Sequence, residues 1–110
     1  MRVLWSAGIW TIASIAKDMS FLMIEIRVFT HPTCVTCPNA IQMVQRLTEQ
    51  DPQTQMRLIS LATVNGREIA KSLSVLSVPT IFVNETRFVG VPKWDDLLEA
   101  VEREKHNMPA

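Results

Sequence analysis

From Met23 onward the chain alternates apolar and polar positions with readable periods. Ile24, Ile26 and Val28 alternate with Glu25 and Arg27 before Phe29, which predicts a strand, and Thr30-His31-Pro32-Thr33 stops it. Ala40, Met43, Val44 and Leu47 then recur at helical spacing, with Gln42, Gln45, Arg46 and Glu49 on the opposite side, until Asp51-Pro52 ends the run. A second strand is predicted over 56–61. Asn65 followed by Glu68 has the form of a helix start, with Ile69, Ala70 and Leu73 as its buried stripe. Two short β-rich runs, 80–83 and 86–89, are separated only by Asn84-Glu85, which suits an antiparallel hairpin. Pro92 opens a last segment in which Trp94, Leu97, Leu98 and Val101 share one helical face. A strand-helix-strand unit needs a crossover and so makes its strands parallel, whereas a hairpin is antiparallel. The expected domain is therefore α/β, with a mixed sheet and helices on its faces.

Residues 1–22 do not share this pattern. They carry only Arg2, Lys17 and Asp18 as charges but hold Trp5 and Trp10. The uncharged stretch from Val3 to Ala16 falls short of the roughly 20 residues a membrane-spanning helix needs. Three readings stand for this extension: upstream or dispensable residues before a start at Met19 or Met23, a weak export signal or tether with a small-residue pattern at Ser14-Ile15-Ala16, or an added helix or strand. The expected division is an extension over 1–22, a domain over 23–105 and a tail over 106–110.

Composition narrows the function. The chain has 110 residues, 47% hydrophobic and 20% charged, which is one ordinary globular domain. Eleven basic residues against eleven acidic ones leave no net charge, so a basic surface for nucleic acid or anionic lipid is not expected. Two cysteines cannot make a multi-bridge secreted scaffold.

Their position is more informative than their number. Cys34 and Cys37 fall where the first strand hands over to the first helix. A helix start presents unpaired N–H groups and the positive end of the macrodipole, which favours a thiolate over a thiol. Two intervening residues bring the second thiol near the first, so a mixed disulfide can be resolved within the chain. Pro38, lacking an N–H, suits the first helical turn. The spacing alone also serves metal sites and inert thiol pairs; the strand-helix-strand context is what favours redox chemistry. Val78-Pro79-Thr80 adds a proline just before a predicted strand, where its missing N–H is tolerated.

On these residues the chain resembles the thioredoxin/glutaredoxin superfamily, in particular the small glutaredoxin-like thioredoxins of archaea and bacteria. The likeness runs from about Met23 to Glu104, through the strand 24–30, Cys34-Val35-Thr36-Cys37-Pro38 and Ser77-Val78-Pro79-Thr80. It implies a thioredoxin fold, with a four-stranded mixed sheet flanked by helices, and a dithiol–disulfide oxidoreductase that reduces protein disulfides without a cofactor. The resemblance makes Cys34 the nucleophile, Cys37 the resolving thiol and Pro79 a cis-proline, with the Val78 backbone pairing to an extended substrate segment. It implies disulfide-containing client proteins as partners, a thioredoxin-reductase-like donor or glutathione as electron source, and a monomer in the cytoplasm. Export or tethering is the alternative if residues 1–22 act as a signal.

Two departures bear on this. Val35-Thr36 is neither the Gly-Pro of most thioredoxins nor the Pro-Tyr of most glutaredoxins. Position 28, where larger thioredoxins carry a buried acid, is valine. Lys93 and Arg87 are expected near the site edge, and Asp95-Asp96 resembles the acidic pair that binds the glutathione amine in glutaredoxins. Acids in a first helical turn are also favourable without a ligand. A rival class is a metal module, since His31, Cys34 and Cys37 stand at H-x2-C-x2-C spacing, but no fourth ligand is nearby and no metal is expected. His31 and Pro38 are expected to modulate the thiols, His31 by stabilising a Cys34 thiolate when protonated. A scaffold with idle thiols is the remaining class.

Overall fold

A computed structural model of the protein describes residues 23–107; the expectations for residues 1–22 fall outside them. The element order is β1 (Ile24–Thr30), α1 (Cys37–Gln50), β2 (Thr54–Ser60), α2 (Val64–Ser72), β3 (Thr80–Val83), β4 (Thr86–Val89) and α3 (Trp94–Asn107). The four strands form one sheet in the order β2-β1-β3-β4, with β1 and β2 parallel and the β1/β3 and β3/β4 pairs antiparallel. This is the expected mixed sheet.

The alternation in β1 decides which helices cover which face. Ile24, Ile26 and Val28 are fully buried on one side with Ala40, Val44 and Leu47 of α1 and Leu97, Ala100 and Val101 of α3. Met43, Met56 and Trp94 close the margins of this core. Phe29 points the other way, into a smaller core with Ile59, Ala70, Val75 and Phe82 beneath α2. Phe29 and Phe82 meet edge to face, with ring centroids 5.6 Å apart. Arg27 and Arg87, the register partners of Phe82 on either side, lay their guanidiniums over its ring at 5.2 and 4.9 Å. Their stems and charge thus cover an aromatic on the sheet face that α2 leaves partly open.

Several boundaries differ from the sequence expectation. β2 starts at Thr54, because the turn after α1 is closed by Asp51: its side chain accepts from Gln53 N–H at 3.0 Å and its carbonyl accepts from Thr54 N–H and Oγ1. That turn brings Thr54 opposite Ile24, so polar residues enter the ladder. α2 starts at Val64 rather than around Asn65. Its cap is Thr63, whose Oγ1 accepts from Gly66 N–H at 2.9 Å while donating to the Ser60 carbonyl. α3 runs through His106 to Asn107, past the expected end at 105.

Two anchors hold the end of the sheet farthest from the cysteines. Asn84, the hairpin residue with φ of 51°, accepts at Oδ1 from Glu25 N–H, donates from Nδ2 to Glu104 of α3 at 2.9 Å, and accepts at its carbonyl from Arg27. Asn is one of the few side-chain-bearing residues that adopts this left-handed conformation readily. Lys105 pairs with Asp51 at 2.6 Å, tying α3 to the end of α1. Burial acts to raise the Asp51 pKa, but the hydrogen bonds from Lys105 and Gln53 and the ammonium charge outweigh it and hold the carboxyl below its ordinary value. The hydrogen bond to Asp51 raises Lys105 above its ordinary value, against the opposing effect of burial.

Two stability outcomes follow from this packing. A methyl group at Gly66 would fall far inside contact distance of the Ser60 carbonyl oxygen, which is backbone and cannot swing aside. Gly66→Ala should therefore lower unfolding stability by about 2 kcal/mol or more in urea titrations. The Asp51 contribution is present above its unfolded value and lost as pH falls through the lower folded one. That of Lys105 is present below its unfolded value and lost as pH rises through the higher folded one. Lys105→Met should cost about 0.5–1 kcal/mol at pH 7, and its difference from wild type should shrink as pH falls through the lowered folded value of Asp51.

Candidate active site

The cysteines sit at the end of the sheet where β1 finishes and α1 begins. The turn between them is built from local hydrogen bonds. His31 accepts from Cys34 N–H at its carbonyl, 3.0 Å away, and from Thr33 N–H at ring Nδ1, 3.2 Å away, with the Thr33 hydroxyl 2.8 Å from the same nitrogen. The ring of His31 is thus engaged with Thr33, and its carbonyl shapes the turn that presents Cys34. Cys37 is the first residue of α1 and Pro38 follows within its first turn, where a missing N–H costs no bond.

Cys34 and Cys37 are joined as a disulfide, with Cα atoms 5.4 Å apart. Cys34 is partly exposed, whereas Cys37 is only 1% exposed. The first turn of α1 carries no acidic residue, so no side-chain charge of that turn opposes a thiolate at its N-terminus. Val28 lies in the apolar core behind, fully buried.

Three loops gather at this same end of the sheet. The Val78-Pro79 bond is cis, and because Phe29 pairs with Thr80, Pro79 enters β3 next to the end of β1. The approach to it is tightly held. Ser74 takes φ of 56°, Val75 inserts into the smaller core, and Thr80 Oγ1 donates to the Ser77 carbonyl at 2.7 Å. Gly90, at φ of 84°, donates its N–H to the Pro79 carbonyl at 2.8 Å and so brings the end of β4 alongside. Among the described residues, the N–H and carbonyl of Val78 have no protein partner. On the loops of this framework three apolar residues are exposed, Val35 at 90%, Leu76 at 95% and Val91 at 41%, among exposed polar neighbours such as Thr36 and Ser77.

The site residues named from sequence divide accordingly. Cys34, Cys37 and Pro38 share the start of α1, and Val78 and Pro79 lie at the neighbouring strand entry. Arg87, expected near the site edge, instead donates to the Leu73 and Ser74 carbonyls at the end of α2, beneath Phe82. Asp95 and Asp96 occupy the exposed first turn of α3. Among the described residues no three His, Cys, Asp or Glu side chains converge as a metal site requires. No described helix is long and apolar enough to cross a membrane. Sequence reading missed the apolar collar and the hydroxyl of Thr36, which lies 3.8 Å from the Cys34 sulfur. Val35 and Leu76 are legible in the sequence as apolar residues in loops, but only their exposure beside the cysteine turn and the strand entry gives them meaning.

A redox-active cysteine pair at the start of a helix, set on a mixed sheet beside a cis-proline strand entry, defines a dithiol–disulfide oxidoreductase of the thioredoxin fold. A family model described as a thioredoxin domain matches residues 24–102, and the chain belongs to that family. It is 33% identical over 84 residues to a probable thioredoxin of Methanothermobacter thermautotrophicus, covering 76% of this chain and 98% of that one. A thioredoxin of Methanocaldococcus jannaschii is 27% identical over 81 residues, covering 73% and 94%. Among solved structures, a variant thioredoxin of Halobacterium salinarum superposes with a TM-score of 0.66 at 22% identity, covering 78% of each chain. The thioredoxin of Fasciola hepatica does so with 0.65 at 22%, covering 84% and 93%.

The difference in exposure gives a direct test. After reduction, iodoacetamide at neutral pH should label Cys34 faster than Cys37 by about tenfold or more, because alkylation needs both thiolate and access. Peptide masses at short labelling times report the ratio.

Proposed function

We propose that the chain reduces disulfides of client proteins, with Cys34 as the attacking thiolate and Cys37 as the resolving thiol. The observation that carries this reading is the asymmetry of the pair, Cys34 partly exposed in the turn before a helix and Cys37 buried at its first residue. The Cys34 thiolate attacks one sulfur of the client disulfide, forming a mixed disulfide and releasing the other client sulfur, which takes a proton. Cys37, having lost its proton to solvent, then attacks the Cys34 sulfur. The second client thiol leaves, two electrons have passed to the client, and Cys34–Cys37 is the disulfide seen here.

The client lies extended across the exposed collar. The N–H of Val78 donates to the client main chain and its carbonyl accepts from it, both being without a partner among the described residues, while Val35, Leu76 and Val91 bury apolar side chains of the client. An apolar collar with two free backbone groups fits a polypeptide better than a small anionic thiol. The engagement of Arg87 with the end of α2 takes from the site a cation that glutathione would use. A reductase-type donor of two electrons, acting on a monomer in the cytoplasm, completes the cycle. His31 contributes by ordering the turn that carries Cys34, and Pro38 by starting the helix behind it.

Trapping checks the roles. Cys37→Ser should accumulate client mixed disulfides on Cys34, resolved on non-reducing gels and lost with dithiothreitol, whereas Cys34→Ser should accumulate none. Equal trapping by both variants would overturn the assignment.

A further inference from the structure

Among the described residues, the two threonines that precede helices have the same side chain and opposite behaviour. Thr63 caps α2 in the ordinary way, in extended backbone conformation, with Oγ1 accepting from Gly66 N–H. Thr36 stands at the same position before α1 but is already in helical conformation, at φ of −92° and ψ of −10°, and its side chain makes no capping bond. Pro38 has no N–H to offer a capping oxygen, and the Asn39 N–H, which one would receive, goes instead to the Thr36 carbonyl at 3.2 Å, beside the ordinary first helical bond from Ala40 N–H at 3.4 Å. The hydroxyl is left over, and it lies 3.8 Å from the Cys34 sulfur, within hydrogen-bond range for sulfur. A disulfide sulfur carries no hydrogen, so in this contact Thr36 is the donor.

We propose that the Thr36 hydroxyl is diverted from helix capping to serve as a hydrogen-bond donor to Cys34, and that it stabilises the thiolate of the reduced enzyme. This rests on the assignment of Cys34 as the attacking thiol. Reduction of the pair consumes two electrons and one proton, breaks the Cys34–Cys37 bond, and leaves a thiolate at Cys34 and a thiol at Cys37. The sulfur that accepts from Thr36 thereby changes from a weak neutral acceptor to an anion. A hydrogen bond to the charged partner is the stronger one, so it favours thiolate over thiol and the reduced pair over the disulfide. Thr36 therefore lowers the Cys34 pKa and makes the pair more oxidising than it would be without the hydroxyl. Val35, the other residue between the cysteines, has no donor side chain and faces solvent.

The test uses the full chain with Thr36→Val, which keeps the shape and removes the donor, and Thr36→Ser, which keeps the donor. The pH dependence of alkylation at Cys34, located by mass, gives its pKa, and equilibration against dithiothreitol mixtures gives the midpoint. Thr36→Val should raise the Cys34 pKa by about half to one unit. At a pH above both values it should disfavour the reduced pair three- to tenfold, a tenfold change being about 30 mV for this two-electron couple. Thr36→Ser should stay close to wild type, and the melting temperature of Thr36→Val should be unchanged because no cap is lost. A pKa and midpoint unmoved by Thr36→Val, or moved as far by Thr36→Ser, would overturn the role of the hydroxyl alone. A low-pKa thiol found on Cys37 would overturn the assignment of Cys34 and this inference with it.

Discussion

The structure depends on β1 being paired along both edges while each of its faces is buried under a different layer. Seven residues of β1 are in register with β2 on one side, and four of them with β3 on the other. Its alternate residues supply both cores, so a slip of one position would carry Ile24, Ile26 and Val28 out of the larger core and Phe29 out of the smaller one. The same strand ends at Thr30, directly before the turn that carries Cys34. The position of Cys34 is thus inherited from the most constrained segment of the fold.

Much of this was legible along the chain. The alternation of β1, the hairpin about Asn84-Glu85, the face of α3 and the place of the cysteines at a strand-to-helix junction could all be read directly, because each is a local pattern with a fixed period or a chain-breaking residue at its end. What escaped reading depends on distant or ambiguous partners. Thr54 and Gln55 have no strand signature of their own; they pair because the Asp51 turn delivers them beside Ile24. Asn65 looks like a helix start, but Thr63 takes that position because its hydroxyl is steadied by the Ser60 carbonyl. Arg87 reads as a surface cation, and only the fold shows its guanidinium spent on the end of α2.

Within the site, legibility divides along the same line. Cys34, Cys37 and the cis Val78-Pro79 bond belong to short motifs whose resemblance carries over as a unit. The exposed apolar residues come from three separate segments, at 35, 76 and 91, that flank the ends of β1, β3 and β4 lying at one end of the sheet. Thr36 is the hardest case, since a threonine before a helix signals a cap, and the signal is the same whether the hydroxyl faces the helix or the sulfur.

The unequal burial of the two sulfurs also bears on survival in the presence of oxidants. A thiolate in reach of solvent is the sulfur that peroxide converts first, to a sulfenic acid that further oxidation would render inactive for good. Here the partner thiol is three residues away, close enough to form a bond, and shielded from the same reagent. Its attack on the sulfenic sulfur expels water and yields the Cys34–Cys37 disulfide, the very species that ordinary turnover produces. An oxidative hit therefore ends in the same disulfide that the structure holds, a form open to reduction, so the burial of Cys37 leaves a way back.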